Sequence, residues 1–144
     1  MFKRIFYFLI AASLYCPLTF SQGWMPHKIV GMEYPRIAAF SRIEGQVKLI
    51  CAIDDKGEVI KAESRGLTTS ISAHSVLVKA ARENIMQWKF SREKNVDSNV
   101  EGSFDIIYEF KLGKPARDSQ HFRSSFVYEY PNLVIVEAET PQVM

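Results

Sequence analysis

The sequence has little of what a catalyst or a disulfide scaffold needs. Two cysteines and seven glycines are spread over 144 residues. The glycines form neither a Gly-x-Ser-x-Gly elbow nor a loop that could cradle phosphate. His27, His74 and His121 are scattered over a lead-in, a helix start and a connector, no pair having a metal-ligand spacing, and Asp54-Asp55-x-Gly57 lacks the further carboxylates of a calcium loop. No catalytic residue, metal site or cofactor is expected, and the protein does not read as an enzyme. An excess of charge of one sign is missing too. Lys3 and Arg4 account for the formal net charge of +2; the rest is balanced, with no basic run of five or more. That excludes nucleic acid as a partner, because phosphate neutralisation needs a basic footprint. At 47% hydrophobic and 24% charged, the composition fits neither disorder nor a fibrous repeat. The length suits one domain with an appendage.

A hydrophobic run long enough to span a bilayer is also lacking. Residues 5–16 are apolar and Pro17 ends them; as a helix they reach roughly 18 Å against a hydrocarbon core of about 30 Å. With Lys3-Arg4 before them and small residues at Thr19 and Ser21, they describe a secretory signal peptide over residues 1–21, cleaved after Ser21. The alternative is an inner-membrane anchor through residues 5–16, so membrane contact is expected only if the leader stays. Export to the periplasm leaves one cysteine, Cys51, and therefore no internal disulfide. The core must hold the chain.

What is present is periodicity. After an unpatterned lead-in (22–33), Tyr34-Pro35 opens a short helix over 35–43, with Gly45 as its stop. Residues 46–54 alternate, Val47, Leu49, Cys51 and Ile53 sharing one face, which makes a half-buried strand and Cys51 a buried apolar filler. Asp54-Asp55-Lys56-Gly57 turns into a second strand, 58–64, whose Val59 and Ala62 share a face only if a bulge intervenes. From 72 to 89 the period becomes helical, and Ala73, Leu77, Ala81, Ile85 and Trp88 form a core stripe. Residues 103–112 alternate most clearly: Phe104, Ile106, Tyr108, Phe110 and Leu112 point one way, Asp105, Ile107, Glu109 and Lys111 the other. Segments 125–130 and 133–138 are β-rich around a Pro131-Asn132 turn. The tail reads equally as a hairpin completing the sheet or as an exposed partner surface. Antiparallel strands with an amphipathic helix on one face make an α+β fold.

Several of these residues recur together in a known pattern: Tyr34-Pro35-x-x-Ala38, Arg42-Ile43-Glu44-Gly45-Gln46-Val47-Lys48, Ile53-x-x-x-Gly57-x-Val59, Ala81 to Trp88-Lys89-Phe90, and the strand from Phe104 to Phe110. Residues 34–112 resemble the C-terminal domain of the TonB family of energy transducers. The resemblance implies a three-stranded antiparallel sheet with two helices packed on one face, to which residues 113–144 add a C-terminal β extension. It also implies a periplasmic protein-binding module whose partner is an outer-membrane transporter or another envelope complex. A short peptide of that partner pairs with the sheet edge, backbone hydrogen bonds supplying affinity and alternate side chains selectivity. The edge implied here is the strand 103–111, with Ser103, Asp105, Ile107, Glu109 and Lys111 as candidate partner contacts. The alternative is a stand-alone structural or assembly protein whose extension covers that edge in cis. Three departures stand out: residues 22–33 reach about 40 Å at most as a spacer, Ser91-Arg92-Glu93 stands where a proline is common, and the tail is extra.

Overall fold

A computed structural model of the chain describes residues 24–64, 71–92, 102–117 and 122–142, with side chains described from residue 75 in the helix that starts at Ile71. The expected leader with its cleavage point, the loop at 65–70 and most of the loop at 92–99 lie outside the described residues. Along the chain run β1 (Trp24–Lys28), α1 (Arg36–Phe40), β2 (Gly45–Ile53), β3 (Val59–Ser64), α2 (Ile71–Ile85), β4 (Lys89–Arg92), β5 (Gly102–Pro115), β6 (Ser124–Glu129) and β7 (Leu133–Thr140).

The alternating stretches are strands, and their apolar faces meet. Val47, Leu49, Cys51 and Ile53 of β2 lie beside Tyr108, Ile106 and Phe104 of β5 in an antiparallel register, and this face joins Leu77, Ala81 and Ile85 of α2 in one buried core. The expected bulge falls at Ile60: Ala52 pairs with Lys61 and Ile53 with Val59. Skipping one residue turns Val59 and Ala62 inward and leaves Ile60 exposed. The Asp54 carboxylate ties the preceding turn by accepting from the N–H groups of Lys56 (3.0 Å) and Glu58 (2.8 Å).

Four expectations need correction. The sheet has five strands, in the order β3-β2-β5-β7-β6, rather than three, because the C-terminal extension enters it. The lead-in is not structureless: β1 pairs antiparallel with β4. α2 ends at Ile85 rather than 89. The N–H groups of Gln87 and Trp88 bond to the carbonyls of Asn84 and Ile85, a tightened last turn that keeps helical spacing for Trp88 before the chain extends. Finally, α1 ends at Phe40 rather than at residue 43, and Arg42 closes it in place of Gly45. Ile43 N–H bonds to Ala38 O and Arg42 N–H to Ala39 O, with Arg42 at φ 53°. That is a Schellman closure with arginine in the left-handed position.

Gly57 does need to be glycine. Its φ is 84°, its carbonyl accepts from Phe90 N–H at 2.8 Å, and a Cβ would sit 1.8 Å from Phe90 O. Gly57→Ala is therefore expected to cost at least ~2 kcal/mol, read as a lower denaturation midpoint. A midpoint equal to wild type would contradict this backbone contact.

Candidate partner-binding surface

The strand nominated as the open edge, β5, is interior. One side pairs with β2 from Gly102 to Phe110. The other pairs in parallel with β7, Ile107 opposite Leu133 and Phe110 opposite Val136, on to Pro115 opposite Thr140. The first bond of that second ladder runs from Ile107 N–H to Asn132 O at 2.8 Å. β7 in turn is covered by β6, antiparallel, with Phe126 opposite Val136 and Tyr128 opposite Val134. Of the two readings open for the tail, the structure takes the first. The hairpin completes the sheet in cis.

Side-chain burial explains why β7 stays there. Val134 and Val136 are 0% exposed and belong to the same core as β2 and β5. Phe126 and Tyr128 of β6 meet the indole of Trp88 edge to face, at centroid distances of 6.4 and 5.3 Å, the arrangement aromatic quadrupoles favour. Trp88, itself buried, donates from Nε1 to Val30 O and to Asn84 Oδ1, both at 3.1 Å. Asn84 is the buried polar residue that sequence patterning missed. Its Oδ1 also accepts from the Tyr108 hydroxyl at 2.8 Å and its Nδ2 donates to Val30 O at 2.8 Å. Burial pushes the Tyr108 hydroxyl well above its ordinary pKa, so it stays a donor. The knot joins the segment after β1, the end of α2 and the central strand. Only its position four residues before Trp88, on the inner side of the helix, hinted at it.

The five nominated side chains share the face of the sheet away from the helices. Asp105 pairs with Lys48 at 3.1 Å. Glu109 accepts from Gln46 Nε2 at 3.4 Å and meets Lys111 Nζ at 3.3 Å. Ile107 is half-buried between cross-strand neighbours Lys48 and Leu133, while Ser103 and Lys111 are exposed. Cys51 lies on the opposite, inner face. Burial, aided by the Asp105 charge, pushes its thiol up to about 12, and thiols react as thiolates. Native protein is expected to leave Cys51 unmodified by a thiol reagent at pH 8, with labelling only on unfolding; fast native labelling would contradict the buried assignment.

Among the described residues, the outer strands of the five-stranded sheet are β3 and β6. β3 is blunted by its bulge and by Lys61 and Glu63, which pair with each other at 2.8 Å. β6 has no bulge and keeps its charge at the end, in Glu129. Among the described residues, no helix is long and apolar enough to cross a membrane.

The Gram-negative bacterial TonB protein C-terminal family matches residues 30–112. Among solved structures, the chain is similar to the solution NMR structure of the Pseudomonas aeruginosa TonB CTD. The two are 22% identical with a TM-score of 0.52, over 66% of this chain and 92% of that one, a likeness of fold. No curated relative matches the chain. The family match ends at Leu112, so the hairpin that closes β5 lies beyond it. With more than half its length matched, from the end of the lead-in through β5, the chain belongs to the Gram-negative bacterial TonB protein C-terminal family.

Proposed function

We propose that this chain is an exported, periplasmic protein-binding module that carries its own occupant for the family's peptide edge. Residues 1–21 are its signal peptide, 22–33 a lead-in, 34–112 the TonB-type domain and 113–144 the connector and hairpin. The partner class is a segment of an outer-membrane transport system, the kind of protein with which this family interacts, and recognition is by strand addition. Ser103, Asp105, Ile107, Glu109 and Lys111 flank the backbone that such a segment would pair with. The observation that carries the reading is the β5–β7 ladder: a strand of the chain itself lies parallel along β5 from Ile107 onward. A guest gains that length of edge only by displacing the hairpin.

The test is titration of transporter plug-box peptides against three proteins: the full chain, a chain ending at Leu112 and a full chain carrying Val136→Asp. Binding absent or weak in the first and strong in the other two is expected. Equal binding by all three would refute the hairpin's role as occupant, and no binding by a folded Val136→Asp variant would refute peptide recognition. A second reading is favoured by the complete burial of Val134 and Val136: the hairpin is a permanent part of a stand-alone assembly protein. Insolubility of the shortened chain, with no peptide binding by the variant, is its signature.

A further inference from the structure

The lead-in and the hairpin hold each other. Ser124, Phe126 and Tyr128 of β6 face inward, opposite the buried Ala138, Val136 and Val134. Residues 30–34 lie across the first two. Tyr34 N–H donates to Ser124 Oγ at 2.8 Å, and a Cβ on Gly31 would sit 3.8 Å from Phe126 Cδ1, an ordinary contact. The third, Tyr128, rests on Trp88. The same segment feeds the polar knot. Val30 O accepts from Asn84 Nδ2 and Trp88 Nε1, and Gly31 O accepts from Asn84 Nδ2 at 3.3 Å. Val30 and Met32 also pack against the core. Upstream, β1 is paired with β4 alone and carries an irregularity between Pro26 and Lys28. A two-stranded ribbon is marginal by itself, and its far anchor is Trp24, whose ring centroid lies 4.7 Å from the Arg92 guanidinium.

We propose that the lead-in and the hairpin form one clasp, two segments flanking the core of the domain that open and close together. If β6 lifts away, Tyr34 N–H loses its acceptor and Phe126 leaves both Gly31 and Trp88. If the lead-in lifts instead, Asn84 Nδ2 loses Val30 O and Gly31 O, Trp88 Nε1 keeps Asn84 Oδ1, and Phe126 is uncovered. Either half, in leaving, strips polar groups that the other half needs paired, which is the costly case. Coupling of this kind is reciprocal: whatever favours opening at one site favours it at the other by the same factor. A guest that displaces β7 from β5 thereby frees residues 24–33, and capture or removal of the lead-in opens the β5 edge. This use of the clasp rests on the reading of β7 as an occupant; the clasp itself does not.

Hydrogen exchange on the purified chain tests the coupling with two variants, each changing one half of the clasp. Val136→Asp acts in β7, between Phe110 and Phe126. It should lower the protection of the Tyr34 amide and of the β1–β4 ribbon by about tenfold or more. Val30→Asp acts in the lead-in. It should lower the protection of β6, β7 and the β7-facing amides of β5 by about the same factor. In both variants β2 and α2 should stay protected. Ribbon protection equal to wild type in Val136→Asp, or hairpin protection equal to wild type in Val30→Asp, would overturn the coupling. So would a uniform loss across the chain, which leaves no separate clasp. Titration with plug-box peptides then tests its use, Val30→Asp binding about tenfold more tightly than the wild-type chain. Coupled exchange without peptide binding by either variant would support the clasp and refute the occupant reading.

Discussion

Val136→Asp is expected to release the C-terminal hairpin while leaving most of the remaining fold in place. Val136 is fully buried, with Phe110 of β5 on one side and Phe126 of β6 on the other. A carboxylate there has no partner and no water, a penalty of about 4 kcal/mol or more against total stabilities of about 5–15 kcal/mol for domains of this kind. The hairpin should yield first. β5 keeps β2 as a partner, and α2 keeps its packing against β2 and β3. In hydrogen exchange, amides of β6 and β7 should lose protection, together with those from Ile107 onward that face β7, while β2 and α2 retain theirs. The defect should be milder near pH 4 than at pH 7. Burial raises the pKa of the introduced carboxyl in the folded state, so the charge penalty is absent below the unfolded value of about 3.9 and grows as pH rises. Uniform loss of protection across the chain would mean that hairpin and domain form one cooperative unit, which favours the stand-alone reading.

Trp88→Ala should be the most damaging single truncation in the core. The indole is 1% exposed and is the largest of the fully buried side chains. It stacks near Phe90 (6.4 Å between centroids) and receives both aromatic rings of β6. Removing it opens a cavity among these rings, at a cost of ~3–5 kcal/mol. The lost hydrogen bonds add little. Val30 O keeps the donor from Asn84 Nδ2, and Asn84 Oδ1 keeps the Tyr108 hydroxyl, so no acceptor is orphaned. Denaturant titration should therefore show a much lower midpoint, with Trp88→Phe recovering part of it. Full recovery by phenylalanine would be unexpected, since it restores neither the indole's volume nor its two donated bonds. A loss below ~1 kcal/mol would show that Trp88 does not anchor the hairpin.

Much of the α+β fold was legible in the chain, and for a local reason. In β2 and β5 the two-residue period separates Val47, Leu49 and Ile106 from Lys48 and Asp105, and one face became core while the other carries the ion pair between them. The turn glycine at 57 and the bulge at Ile60 also follow from neighbours in sequence. Where local patterns misled, two structures shared one spacing. Trp88 falls on the helical stripe of α2 although a tightened turn places it after the helix ends. The candidate site fared differently. The five nominated residues share one face, as alternation requires, but alternation says nothing about what lies beside the strand.

The amino-acid order alone determined both helices and the strands β2, β3, β5, β6 and β7, though not β1 and β4, together with the apolar sides of β2, β5 and α2 and the resemblance to the family, because these depend on residues within a few positions of one another. The tertiary structure decided who stands beside whom. β7 slips between β5 and β6, β1 reaches across to β4, and Asn84 gathers Val30, Trp88 and Tyr108 into one polar knot. Main-chain N–H and C=O groups are the same in every residue, so a strand's flank carries no side-chain signature. Its neighbour is chosen only when distant apolar faces compete to be buried together.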